Sequence, residues 1–594
     1  MIGTYVAVVA VCVSSLVIGQ AVLGLCGVAR WSWIAPAVGL AAVSAICWGT
    51  VRLPGDGVIG AVLVALATLA SGAFLWQWVR DGGTAVRLGG VVAIGALAAT
   101  ALPFIAENHF GILGTGFNPD MSQHLLAASR LSDGFSSELL RQGYPLGPHA
   151  IVVSLEKGLG VSLVHGFTGL TVAVAVLAPL TALAAFPDRS PLRRAAAALV
   201  VGLPYLVASY FAQGAFKETM QALWVLAFLL TLRETTRNPL WRDLELRFVP
   251  AAVIAIGAVY TYSFPGLIWL AVVLAAWLAI ERELPARPLL LALVVLAVGA
   301  LPELGRMIEF HNFETFDPNG PGLGNLFGQI SPLTALGIWF SGDFRVAAGD
   351  GAVPAIAYYL GAAFAAVLLV LGLARCVRGR ESAILGGAVA VALLYLAARI
   401  GGTPYTSAKA LEVAAPVATL AIVAPWTAAE PEREFGFGNR VLRAAGSEPA
   451  GLPIWAYLAI AGFCSVLAFA NAPVGPSTYS PALTGLRPLI AADSTLVLAP
   501  RELLDEQHGV RYIDWELRGG RVCIADEDHA PARIPPGIRF VITSDERSRA
   551  PYPGMALREE ADPYLLWART GPVTGTSECP LIAVRQARQG SPSG

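Results

Sequence analysis

Asp120 and His124 stand four residues apart, directly after an Asn118-Pro119 turn signal. Residues 121–131 then place Leu125, Ala128 and Leu131 at a helical spacing. On a helix, a separation of four puts the carboxylate and the imidazole on one face. Such a pair can take a proton from a hydroxyl and pass it on. It also suits a plainer arrangement, with Asp120 as the N-cap and His124 hydrogen-bonded to it. Downstream, Tyr144-Pro-Leu-Gly-Pro-His149 makes a stiff turn from two prolines and a glycine, and His149 opens the next apolar stretch. The chain has only three lysines, Lys157, Lys217 and Lys409. Lys217 lies in Gln213-Gly-Ala-Phe-Lys217-Glu218 and Lys409 in Tyr405-Thr-Ser-Ala-Lys409, each where an apolar run begins. Either could also be an interfacial cation that snorkels to water.

The elements that must position these residues are hydrocarbon-like. The chain of 594 residues is 56% hydrophobic and 14% charged, far from the roughly 25% charge of soluble domains. The apolar residues fall in runs of roughly 17–25, the length a helix needs to cross a bilayer, and not in the short alternating strands of a membrane β-barrel. About fourteen spans are expected, near residues 3–26, 33–50, 57–79, 87–106, 162–186, 193–212, 217–233, 248–263, 265–280, 288–304, 354–375, 382–400, 405–426 and 452–471. Residues 1–27 lack a basic leader and read as a span and not as a cleaved signal.

Arginines orient the bundle. Arg30, Arg80, Arg87, Arg189, Arg193, Arg194, Arg233, Arg237, Arg242, Arg247, Arg282, Arg287, Arg375, Arg378, Arg380, Arg433, Arg440 and Arg443 all fall in alternate loops, which should be cytoplasmic. The other loops are arginine-poor and should face outward. They comprise 107–149, the 213–218 turn, 305–353 and 401–407. Both termini then lie outside. Three regions are expected: N-terminal helices over 1–84, a membrane core over 85–471, and an extracytoplasmic α/β or α+β domain over 472–594. In the last, 495–498 and 539–543 read as strands. Five cysteines sit in or beside apolar helices as small hydrophobes. Cys523 and Cys579, the two in the polar domain, are either a disulfide or two free thiols, and an outward domain favours the disulfide.

An outward loop with a lone acid, then a helix carrying a histidine, then Tyr-Pro-x-Gly-x-His opening the next helix, resembles the integral-membrane glycosyltransferases of the GT-C fold. The bacterial type that uses polyprenyl-phosphate sugars is the nearest in pattern, over residues 85–425. The resemblance implies an all-α polytopic core and an inverting transfer of a sugar from a polyprenyl-phosphate donor to an envelope glycan or glycolipid on the outer face. It casts Asp120 as the base on the acceptor hydroxyl, acting directly or through a divalent cation (Mg, Mn or Ca), with His124 and His149 shaping the site. The leaving lipid phosphate needs cationic partners, for which Lys217, Lys409 and Arg306 are candidates, with Arg399 a further one. Tyr144, Glu309, His311 and Asp317 are candidate contacts to acceptor or sugar. The same 305–353 loop, with Trp339 and Phe340, could equally be an interfacial aromatic belt. Glu309, His311 and Asp317 could also hold a cation, although their spacing is not that of a ligand set.

Two other readings compete. A transporter or lipid flippase would call for charges deep within the spans and often inverted repeats, whereas the spans carry few charges at their centres and no internal repeat is evident. An envelope scaffold would make the C-terminal domain the working part. The arginine-rich loops carry no Gly-rich phosphate loop or nucleotide fingerprint. They are explained by topology and anionic lipid, with no nucleic-acid partner. A plasma or inner membrane location follows.

Overall fold

The computed structural model describes residues 1–78, 82–133, 138–187, 190–282, 285–311, 322–427, 451–490, 493–500, 509–518, 521–544 and 549–574. The helices relevant here are α1 Ile2–Leu25, α2 Ala35–Thr50, α3 Asp56–Trp78, α4 Gly82–Ala106, α5 Met121–Ser132, α6 Glu138–Arg141, α7 Gly147–Leu159, α8 Leu163–Ala182, α9 Pro191–Gly202, α10 Tyr205–Ala212, α11 Phe216–Arg237, α12 Pro239–Arg242, α13 Val249–Glu281, α14 Ala286–Ala300, α15 Leu304–Phe310, α16 Ala355–Gly379, α17 Ser382–Gly401, α18 Pro404–Thr427 and α19 Gly451–Ala470. A backbone in hydrocarbon must satisfy its polar groups within the segment, so each apolar run closes into a helix.

Among the described residues, ten helices are long and apolar enough to cross a membrane, or eleven if the bent pair α9–α10 is one span. The sequence expectation of fourteen differs for identifiable reasons. α2 has only 16 residues. α9 and α10 meet at 55°. α11 carries Lys217 and Glu218 at one end and Arg233, Glu234 and Arg237 at the other, and its middle is buried in the bundle, where neighbouring helices replace lipid. α13 is broken at Ser263, which takes φ 57°, ψ −148° just before Pro265. A Cβ at Gly266 would lie 2.7 Å from the carbonyl oxygen of Ala258, whereas eight residues of straight helix span about 12 Å. The halves 249–262 and 264–281 therefore fold back on each other.

α8 and α18 form the interior, 94% and 89% buried over their apolar windows. α3 and α14 lie at the periphery, at 6% and 11%, and expose Leu66, Leu69, Leu290 and Val298 as a lipid-facing surface. Small residues set the closest helix contact. A Cβ at Gly39 of α2 would fall 1.7 Å from the carbonyl oxygen of Ser15 on α1, and one at Gly19 would fall 1.9 Å from that of Ala35. Only glycine lets these backbones touch.

Contacts divide the chain into two units, Met1–Asn118 with Arg130–Val474, and Pro119–Ser129 with Gly475–Gly594. The second unit thus takes in most of α5, a grouping that sequence order does not suggest. Its sheet comprises β1 Ser494–Ala499, β2 Arg521–Asp526, β3 Phe540–Ser544, β4 Met555–Ala561 and β5 Tyr564–Arg569, in the order β2-β1-β3-β5-β4. β1 pairs parallel with β2 and β3, and β5 pairs antiparallel with β3 and β4. Alternate residues feed two cores. Val497, Phe540, Ile542 and Leu566 pack on one face with Leu483, Ile490 and Ile513 from two short helices. Leu496, Leu498, Val541 and Trp567 pack on the other with Cys523. Cys523 is disulfide-bonded. Its expected partner, Cys579, lies outside the described residues. The five cysteines of the helices are free thiols.

Candidate active site

Within the membrane unit, the arginine-poor helix ends touch one another and so do the arginine-rich ends. On the rich side, Arg233 of α11 forks onto Glu381 at 2.9 and 3.1 Å and donates to the Ala185 carbonyl at 3.3 Å. Arg287 pairs with Glu245 at 3.1 Å. On the poor side, Asn325 donates to the Phe117 carbonyl at 3.0 Å, Gln329 to Ser407 at 2.8 Å, and Arg345 to the Phe117 carbonyl at 3.0 Å. The two sets of loops distinguished by composition are therefore also two spatial sets.

The arginine-poor end holds a cluster of ionisable side chains. Gly214, in the left-handed region at φ +68°, turns the chain from α10 into α11, so that Lys217 and Glu218 occupy the first turn of α11. The carboxylate there also meets the positive end of the helix dipole. The Lys409 ammonium, from the first half of α18, pairs with Glu218 at 2.9 Å, with only 16% and 6% of the two side chains exposed. Tyr262, just before the Ser263 break, donates its hydroxyl to Glu218 at 3.4 Å. Lys409 also lies 4.2 Å from the ring centroid of Tyr405. Half-buried Lys217 sits 4.0 Å above the ring of Tyr144 and 5.8 Å from that of Tyr262. One turn beyond Lys409 on the same face, Glu412 is fully buried, and neither carboxyl oxygen has a hydrogen-bond partner among the described residues. Two lysines, two acids and three tyrosines thus gather from α11, α13, α18 and the turn before α7. Such a site can hold an anionic headgroup in place of, or beside, the internal carboxylates.

The remaining expected residues are placed as follows. Tyr144 is buried and belongs to this cluster. His149 is fully buried, with its ring edge-on to Phe167 at 5.3 Å, Phe216 at 5.8 Å and Tyr144 at 6.4 Å, an aromatic packing environment. Arg306, expected as a phosphate ligand, is turned inward. Its guanidinium donates to the Leu140 carbonyl at 2.9 Å and the Tyr144 carbonyl at 2.6 Å, and it pairs with Glu303 at 3.3 Å. Arg399 is exposed. Glu309 and His311 are exposed on and just after α15, with His311 6.1 Å from Phe264. Asp317 lies outside the described residues. Among the described residues, no group of three His, Cys, Asp or Glu side chains is arranged to hold a metal.

Asp120 and His124 belong to the second unit. The Asp120 carbonyl accepts from the Gln123 and His124 amides at 3.1 and 3.2 Å, which puts Asp120 at the start of α5. His124 is buried and Asp120 is partly exposed. In the same unit, burial pushes the Tyr479 hydroxyl well above the ordinary tyrosine range, with the nearby Tyr512, Glu516 and Asp120 charges adding to the effect. Tyr479 and Tyr512 pack at 4.3 Å between centroids.

Composition pointed to the two lysines but not to their partners. Glu218 stood beside Lys217 without an assigned role. Glu412 had a readable signal, a lone acid inside an apolar span. Tyr262 and Glu303 had none, since an aromatic or an acid at a helix end is ordinary.

No family model matches the chain, and no curated protein matches it. Among solved structures, the crystal structure of ArnT from Cupriavidus metallidurans in the apo state is similar, with 14% identity, a TM-score of 0.47, and coverage of 84% of this chain and 100% of that one. The superposition is loose.

Proposed function

We propose that the chain is a membrane glycosyltransferase that moves a sugar from a polyprenyl-phosphate donor to an envelope glycan or glycolipid on the outer face. The observation that carries this reading is the pair of lysines, half-buried Lys217 and largely buried Lys409, flanked by Tyr144, Tyr262 and Tyr405 at the arginine-poor end of the bundle. A lipid phosphate reaches such a site with its tail in hydrocarbon and its headgroup against cations. Two ammonium groups would offset the charge that develops on the departing phosphate. Asp120 would remove the proton from the acceptor hydroxyl. The freed oxygen attacks the anomeric carbon, the carbon–oxygen bond to phosphate breaks with inversion, and the polyprenyl phosphate leaves. His124 would orient the base.

The arginine partition supports placing this end outside. The disulfide at Cys523 supports an oxidising compartment for the C-terminal domain. The test is transfer from a polyprenyl-phosphate sugar by purified protein in lipid nanodiscs, paired with mass spectrometry of envelope glycans from a deletion strain. Loss of one defined sugar supports the reading, and intact glycans together with inert protein would sink it. Glu412, an acid buried within a span, favours a second reading, proton-linked movement of a glycolipid across the bilayer. Liposome uptake without sugar transfer would select that reading.

A further inference from the structure

We infer that Glu303 is a positioning residue that holds Lys217 in place through Arg306 and Tyr144. The inference rests on the phosphate-binding reading of Lys217 given above. Glu303 ends the short 3-10 turn between α14 and α15 and is 4% exposed. One carboxylate oxygen accepts from the Trp48 indole at 2.6 Å and pairs with Arg52. The other faces Arg306 at 3.3 Å. With its direction set by Glu303, the Arg306 fork spans two carbonyls of one turn, those of Leu140 and Tyr144. A planar guanidinium suits this task, and a lysine does not. Gly143 seats the turn directly on α15. It adopts φ +69°, and a Cβ there would fall 2.3 Å from the Arg306 carbonyl oxygen. The turn then delivers the Tyr144 ring, edge-on to Phe310 at 5.7 Å, under the Lys217 ammonium at 4.0 Å.

Glu303 meets Arg306 as an ion pair, and Arg306 meets the turn through two hydrogen bonds, so a change at the carboxylate reaches the lysine as a shift of the ring beneath it. The attraction of a cation to a ring falls when the ring leaves its place. Among the described residues Glu303 bonds to Trp48, Arg52 and Arg306 and to no member of the lysine cluster, so its effect on Lys217 passes through the turn.

The experiment measures binding of polyprenyl monophosphate to the full-length protein in nanodiscs, for wild type, Glu303→Gln, Glu303→Asp, Arg306→Lys, Lys217→Ala and Glu303→Gln/Lys217→Ala. Glu303→Gln and Arg306→Lys should each weaken binding about fivefold to tenfold. Glu303→Asp should recover part of the loss, and the double variant should bind no worse than Lys217→Ala alone. An equal further loss in the Lys217→Ala background overturns the inference, since Glu303 would then act elsewhere. So does wild-type binding by both Glu303→Gln and Arg306→Lys. Wild-type binding by Lys217→Ala would instead overturn the phosphate reading on which the inference stands.

Discussion

Replacing Lys409 by methionine takes from a buried carboxylate the cation it is directly paired with. In the folded protein Glu218 is 6% exposed, takes the Lys409 ammonium at 2.9 Å and a 3.4 Å bond from Tyr262, and feels the charge of Lys217 more weakly than that of Lys409. Glu412, fully buried one turn away, adds a second acid to the same pocket. Removing one partner of a buried pair costs about 3–5 kcal/mol, because the remaining charge keeps its desolvation penalty and loses its compensation. That is roughly two to four powers of ten in the folded-to-unfolded ratio. The double variant Glu218→Gln/Lys409→Met removes both charges and should lose far less, since replacing a buried pair by neutral groups of similar volume is often close to neutral. The assay is thermal unfolding of detergent-purified protein followed by size-exclusion fluorescence. The expected order of stability is wild type, then the double variant, then Lys409→Met. Additive losses, or a Lys409→Met variant as stable as wild type, would refute the pairing argument. A folded double variant that still transfers sugar at the wild-type rate would remove Lys409 from the chemistry.

Four further outcomes are expected. Gly39→Leu should cost about 1–3 kcal/mol or more by overpacking, because even a Cβ would meet the Ser15 carbonyl at 1.7 Å; the same unfolding assay reads it. Glu412→Leu should raise the unfolding temperature, since burial of a polar group without a hydrogen bond costs roughly 1–3 kcal/mol; a fall would show that the acid has a stabilising partner. Asp120→Asn should fold normally and lose about 10²–10⁴ in transfer rate if it is the base, as read in single-turnover assays with labelled donor. Cys523→Ser should destabilise the C-terminal domain by about 2–5 kcal/mol, seen as faster protease cleavage there while the membrane helices persist.

Local hydropathy and charge determined much of this protein before any folding was considered. Transfer of an apolar run into hydrocarbon is a property of the run itself, so every expected span falls on a helix. The arginine partition was likewise readable one loop at a time, and the contacts at the two ends respect it. Asp120 heads α5 because a turn, an acid and a helical spacing are local signals too. The tertiary structure decided which side chains meet. Lys409 finds Glu218, and Arg306 is spent on the Leu140 and Tyr144 carbonyls and not held open for phosphate. The Ser263 break folds α13 on itself, and residues 119–129 join the C-terminal domain. None of these follows from composition. The seating of the Tyr144 turn on α15 and the fold-back of α13 depend on how closely two backbones approach, at Gly143 and Gly266, and that distance is a property of packed pairs of segments and not of any one segment.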